Sequence, residues 1–469
     1  MDTNNEAGMP LHPVEASRQA GEPKEATLGL WDAISIVVGI IIGVGIFATP
    51  PIVFRQIREP WIVLALWTAG GMIALTGALC FAELASTYPR SGGEYVYLTR
   101  AFGPMTGFLF AWAQLSVIRS GSIAVVAYIF GSNAAPLLGW DNTGVFVLAG
   151  LAVVVLTIVN LLGVTFGTRT QNVLTVAKVV GLAAIVVVGF GWGRGEIETP
   201  PVIPHSAASL AGAMIIILWS FAGWHEAAYI VSEMKNRTRN VPLALIFGTL
   251  IVTAIYLLVN VAYLFGLEAA ELQDDRCAAL LIDRLWPDGG GRAMYILIVI
   301  SSLGAINGSI FTTARIYSEL GTDHRLFGAL SYWSKRWKTP VRALIVQGIV
   351  CLGFIAGVWA ANGGKDSFEA AVDLTAAVFW MFFFLTGVAL IRLRQLEPDR
   401  PRPFSVPGYP VLPILFCASC AYMIVGTILF DAMKSLVGLG ILLAGLPLYF
   451  IPKKLKARKA QPDLQPLSK

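Results

Sequence analysis

The chain has 469 residues, 56% hydrophobic and only 13% charged, with a formal net charge of +5. Soluble domains carry about 25% charged residues, so this composition describes a polytopic helical membrane protein. A span needs about 20 apolar residues. Twelve candidates follow one another near residues 30–56, 61–88, 106–133, 144–163, 171–193, 209–232, 242–267, 291–318, 341–361, 368–392, 410–430 and 434–452, numbered here as spans 1 to 12.

Residues 1–27 are polar and Pro-containing and lack the short apolar core of a signal peptide. They read as a disordered cytoplasmic tail. Span 1 carries Gly39-Ile40-Ile41-Ile42-Gly43-Val44-Gly45-Ile46-Phe47. Glycine costs about 1 kcal/mol against alanine inside a helix, and Gly39, Gly43 and Gly45 fall where a span should be most regular. Irregular backbone survives in a membrane only where protein or a cavity surrounds it. The stretch is therefore either a broken helix that exposes amides and carbonyls to a ligand, or a tight helix contact through small residues. After span 2, Pro89 ends a helix and Gly92-Gly93 makes a turn before Glu94-Tyr95-Val96-Tyr97, which suits a short interfacial helix.

Span 3 contains Arg119 near its middle, and span 5 contains Lys178 about two turns in. A charge within a span is a functional hypothesis by default. For Lys178 the alternatives are snorkelling to the interface or an ammonium that caps carbonyls of a broken helix in place of a bound cation. Span 6 contains Leu218-Trp219-Ser220-Phe221-Ala222-Gly223-Trp224-His225-Glu226, which no lipid-facing span would carry. It is the second interruption, five spans after the first. Interrupted spans at corresponding positions of two halves point to a transporter binding site. An odd number of spans per half makes the halves inverted. The expected fold is an all-α membrane protein of twelve spans, built as a five-plus-five inverted repeat with broken helices 1 and 6. Its parts are a first repeat (28–195), a second repeat (196–393), spans 11 and 12 (394–452) and a basic tail (453–469). Span 8 adds Ser301-Ser302 and Asn307-Gly308-Ser309, small and polar enough to face the bundle interior. The Pro-rich Arg400–Pro410 stretch reads as an extended loop.

With the N-terminus inside, only Arg55, Arg58, Arg194, Arg276, Arg284, Arg292, Lys365 and Lys434 of the 34 Lys and Arg fall in outer loops. Inner loops are the ones enriched in Lys and Arg, which places both termini in the cytoplasm. The basic clusters at 235–239, 325–342, 392–402 and 453–459 are then orientation signals and not nucleic-acid patches. Cys80, Cys351, Cys417 and Cys420 lie in apolar spans, where Cys acts as a small hydrophobe. Cys277 is alone in an outer loop, so no structural disulfide is indicated. His12, His205, His225 and His324 have no metal-ligand spacing and no nucleophile motif accompanies them, which argues against an enzyme and against a metal or cofactor.

Four stretches together carry a resemblance: Gly39–Pro50; Gly77–Tyr97, with Cys80-Phe81-Ala82-Glu83-Leu84 and Ser91-Gly92-Gly93-Glu94-Tyr95; Trp219–Pro242, with Ser232-Glu233-Met234-Lys235-Asn236 and Arg239-Asn240-Val241-Pro242; and Gly304–Arg315. Over about residues 28–450 the chain resembles the amino acid–polyamine–organocation superfamily of transporters, and within it the bacterial relatives of the L-type amino acid transporters. The resemblance implies alternating access and a small-molecule amino acid substrate. It implies that the α-carboxylate meets amides of Val44, Gly45 and Ile46 beside Gly43, and the α-ammonium meets carbonyls of Ile41, Trp219, Ser220 and Ala222. The first of these has its own physical reason, since amides at a half-helix N-terminus suit an anion. Trp219 would be the gate over the substrate, and Lys178 would take the place of a sodium ion. The implied lining is Ile40, Val44, Trp219, Ala222, Val378, Phe379 and Trp380, which suits neutral amino acids with medium to large apolar side chains, although a pocket of another shape could favour Ala, Ser or Cys.

Two departures stand out. Val44 occupies a position where many relatives have Ser, so a hydroxyl bond to the carboxylate is absent. His225 stands where L-type relatives often have Asn and an arginine–agmatine antiporter has Glu. Histidine titrates near neutral pH, so His225, with Glu226, either senses or carries a proton or is a hydrogen-bonded spacer. Residues Ser132–Thr143 hold no Cys, so no disulfide-linked heavy subunit is expected. The leading reading is a sodium-independent exchanger of neutral L-amino acids in the bacterial inner (plasma) membrane. The alternatives are a proton-coupled symporter, a cationic amino acid or polyamine antiporter, and a channel or scaffold, which would leave the two breaks unexplained.

Overall fold

The computed structural model describes residues 26–193, 195, 197, 206–362, 367–430 and 432–451. Most of the first tail, the basic tail and Lys365 lie outside them. Among the described residues there is no strand, only isolated bridges between Leu28 and Met234 and between Ser334 and Thr339. Among the described residues ten helices are long and apolar enough to cross a bilayer, and the pair Leu30–Ile41 and Gly45–Gln56, bent by 44°, adds an eleventh. These fall on candidate spans 1 to 11. The twelfth stretch differs from expectation: it forms two shorter helices, Ala432–Leu443 and Gly445–Phe450, neither long enough to span alone.

Why these residues form helices is plain from composition, since in lipid each backbone amide must be paired within its own segment. The faces then sort by environment. Trp31, Trp61, Val173, Val176 and Val180 point outward, while Val37, Trp67, Tyr256 and Tyr317 are buried. The expected interfacial helix is present as Glu94–Phe102, begun by Gly93 at φ 51°.

The end of the bundle that carries the span 2–3, 6–7, 8–9 and 10–11 connections is tied together by charge. The Arg315 guanidinium donates to both carboxylate oxygens of Glu233 at 2.9 Å, and both side chains are buried. The amides of Thr27 and Leu28 donate to the Glu233 carbonyl at 3.0 Å, so the start of the chain is clamped to the end of span 6. Arg90 reaches Glu319 at 2.7 Å and Asp323 at 3.0 Å, and Ser91 shares a hydrogen bond with Ser232 at 2.6 Å. Glu83 accepts from Arg394 at 2.7 and 2.5 Å and from the Val406 amide at 2.7 Å. The Arg400–Pro410 loop, non-helical as its prolines require and ending in a turn at residues 407–410, is thereby strapped onto span 2. At the other end Arg55 meets Asp275 at 2.8 Å with both side chains largely in the open, a type of pair that contributes little.

Removing one partner of a buried ion pair strands the other charge and costs about 3–5 kcal/mol. Glu233→Leu is therefore expected to lower the thermal unfolding midpoint of the purified protein well below that of Arg55→Leu. Equal midpoints for the two variants would contradict the ranking.

Candidate functional site

Span 1 leaves helical geometry at Ile42 (φ −70°, ψ 76°) and resumes it at Gly45. Gly43 and Gly45 therefore mark a break. Gly39, by contrast, sits inside the first half-helix against the side chains of Gln171 and Thr175, so it is a packing glycine. Both readings of the stretch hold, at different residues. The second half begins with Val44 as its N-cap, whose side chain accepts no bond. A helix start leaves its first amides without partners, and those of Val44, Gly45 and Ile46 receive none from any described residue. They form an electropositive half-helix end in the interior.

Span 6 breaks just after Ser220. The Ala222 amide turns back to the Trp219 carbonyl at 3.1 Å, Gly223 takes φ 115°, and the chain continues as a 3₁₀ helix over Trp224–Glu233. A Cβ at Gly223 would meet both that left-handed backbone and the Ile40 side chain at 2.8 Å. Glycine is what lets the two breaks touch.

Three side chains hold the broken ends. The Lys178 ammonium donates to the carbonyls of Gly39 at 2.7 Å, Ile42 at 2.7 Å and Ser301 at 3.1 Å, and it is fully buried. It does not snorkel. A Cβ at Gly304 would lie 2.8 Å from its Nζ, so that glycine makes room for the lysine. The Ser301 hydroxyl lies within bonding distance of the Ile42 carbonyl at 3.2 Å and the Gly43 carbonyl at 3.0 Å. The Tyr256 hydroxyl lies 2.9 Å from the Ile41 carbonyl and 3.2 Å from the Ser220 carbonyl, the two half-helix C-terminal ends. Having one proton, it donates to one of them at a time.

Around the breaks lies a cavity of about 150 Å³ lined by Ile40, Ile41, Gly43, Val44, Gly45, Ile118, Arg119, Ser122, Val126, Trp219, Ser220, Ala222, Gly223, His225, Glu226, Ala305, Ser309, Ala376, Phe379 and Trp380. Of the anticipated site residues, Ile46 is buried beside the cavity and Lys178 lies behind the break, so neither lines it. Val378 is buried and does not line it either. The cavity wall is also more polar than the apolar lining expected. Arg119 donates to Glu226 at 2.6 Å, with Ser309 at 3.4 Å, and Glu226 accepts from the Thr312 hydroxyl. Arg119 follows a π-helical turn over Gln114–Ile118, an irregularity frequent at functional sites. The Trp224–Val231 segment that leads from the cavity to the Arg/Lys-rich end is buried.

Two broken spans, five apart and touching, with an ammonium fixed on freed carbonyls, frame this cavity. The amino acid permease family matches residues 28–446. The chain belongs to that family. It is similar to the human b(0,+)-type amino acid transporter 1 (34% identical, covering 97% of this chain and 94% of the relative). It is also similar to a serine/threonine exchanger of Bacillus subtilis (31%, covering 92% and 97%). The human large neutral amino acids transporter small subunit 2 is 28% identical, covering 94% and 82%. This amino acid permease is thus a membrane transporter and not an enzyme.

Sequence reasoning missed Tyr256, the Arg119–Glu226 pair and Thr312. Tyr256 sits in an uninterrupted apolar span, where nothing local marks it, and the ion partners are 107 residues apart.

Charge-assisted hydrogen bonds contribute roughly 1.5–3 kcal/mol each. Lys178→Met, which keeps the stem and removes the donors, is expected to abolish exchange while the protein still inserts; exchange within threefold of wild type would contradict the assignment. Tyr256→Phe is expected to weaken substrate affinity about tenfold, equivalent to ~1.4 kcal/mol, as measured by KM for uptake, with unchanged KM the contrary result.

Proposed function

We propose that this amino acid permease is a sodium-independent exchanger of neutral L-amino acids that works by alternating access. The observation that carries the reading is Lys178: a covalently attached cation already binds the Gly39, Ile42 and Ser301 carbonyls, where a transported cation would otherwise be required. The α-carboxylate is assigned to the amides of Val44, Gly45 and Ile46. The α-ammonium is assigned to the carbonyls of Ile41, Trp219, Ser220 and Ala222, with the Tyr256 hydroxyl yielding to it at Ile41 or Ser220. Trp219, partly exposed on the cavity wall, is the gate.

Selection of neutral side chains follows from charge balance. Arg119 and Glu226 are each other's counter-ion, so the wall offers no net charge to a cationic or anionic side chain, and Ile118, Val126, Phe379 and Trp380 supply apolar surface. The names of the relatives support exchange and amino acid transport. We assign the repeats to residues 28–195 and 196–393, both termini to the cytoplasm, and the chain to the bacterial inner membrane. All five cysteines are free and buried, which supports function without a disulfide-linked heavy subunit.

The test is uptake of labelled leucine, alanine and arginine into proteoliposomes, with and without internal unlabelled amino acid, in sodium and in potassium buffer, and at two external pH values. Uptake of leucine or alanine that requires internal amino acid and ignores sodium is expected. Uptake into empty vesicles driven by an inward proton gradient would overturn the exchanger in favour of a symporter, and preferred uptake of arginine would overturn the neutral specificity.

A further inference from the structure

Directly beneath the cavity lies a second polar group that the substrate contacts do not use. Glu94, the first residue of the short helix after span 2, is fully buried. Its Oε1 accepts from the Tyr229 hydroxyl at 3.1 Å and lies 3.7 Å from His225 Nε2. Its Oε2 and both imidazole nitrogens have no hydrogen-bond partner among the described residues. His225 lines the cavity and Glu94 does not, so the imidazole stands between the carboxyl group and the substrate space.

The surroundings isolate this pair. Span 2 presents Phe81 to the imidazole, and span 10 presents Phe379 and Phe383. The short helix adds Tyr97, whose hydroxyl is buried without a partner. Span 6 adds Tyr229 and Glu226, span 3 adds Arg119, and span 8 adds Tyr317, which donates to the Gln114 carbonyl. Arg119 and Glu226 neutralise each other, and tyrosines are neutral at ordinary pH. The net charge under the cavity is then set by how many protons Glu94 and His225 hold. An isolated buried ion is costly, so near neutral pH the pair retains one proton, either as a carboxylic acid beside a neutral imidazole or as a carboxylate beside an imidazolium.

We propose that Glu94 and His225 form a proton-binding pair under the substrate cavity, and that uptake of a second proton, through the cavity-facing imidazole, switches transport off. The added proton leaves Glu94 neutral and His225 cationic, with no counter-ion, at the wall that the substrate ammonium must approach. The transport arm of the test rests on the exchanger reading above; the spectroscopic arm does not.

The experiment pairs exchange measured from pH 5 to 8 with histidine ¹⁵N NMR of the labelled full chain in nanodiscs over the same range. In the wild type, exchange is expected to fall at acid pH in step with conversion of one imidazole to imidazolium. That signal is assigned to His225 by its loss in His225→Gln or, if that variant does not fold, His225→Asn. With rates scaled to each variant's own maximum, His225→Gln is expected to lack the acid limb. Glu94→Gln, whose amide stands in for the neutral acid, is expected to keep the limb at the same pH or move it higher. An imidazole that stays neutral throughout, or an acid limb retained in His225→Gln, would overturn the proposal. A titrating His225 in a protein that exchanges none of the amino acids would leave the pair standing and remove the exchanger reading instead.

Discussion

The structure depends on one ammonium group. A helix broken at mid-membrane exposes carbonyls that lipid cannot satisfy, each at a cost of several kcal/mol. Lys178 answers that cost with donors aimed at Gly39, Ile42 and Ser301. Because its own charge is fully buried, the carbonyls satisfy the lysine as much as the lysine satisfies them. With the first half-helix held at its C-terminal end, the second half can begin afresh at Gly45 and leave its first amides without a partner among the described residues. In the proposed function, the substrate takes the part of the break that the lysine does not use.

The second break is held to the first by size and by one hydroxyl. Gly223 removes the side chain that would keep Ile40 away, and Tyr256 lies across the two helix ends. This arrangement joins span 1 to span 6. The ion pairs of Glu233 with Arg315 and of Arg90 with Glu319 tie the Arg/Lys-rich end together.

Much of this was legible in the residues themselves. The glycines of span 1 and the Ser-Phe-Ala-Gly run of span 6 violate the expectation of a regular apolar helix, and a local violation can be read locally. Lys178 could be read for the same reason, because a charge in a span has few bland explanations. What could not be read was pairing at a distance. Arg119 and Glu226 each stand out in their own spans, but they lie 107 residues apart and nothing local pairs them. Tyr256 breaks no rule where it stands. Gly39 was grouped with Gly43 and Gly45 by spacing, although it packs and they break. The twelfth span was counted from composition that runs through Ala444, where the helix stops.

The account stands or falls on where an amino acid sits relative to Lys178. An experimental structure of the protein with a bound neutral amino acid, determined in sodium buffer, measures this directly. The predicted result has the α-carboxylate on the amides of Val44, Gly45 and Ile46, with the Lys178 ammonium still on the Gly39, Ile42 and Ser301 carbonyls. A sodium ion among those carbonyls with Lys178 displaced, or an amino acid bound away from both breaks, would contradict it.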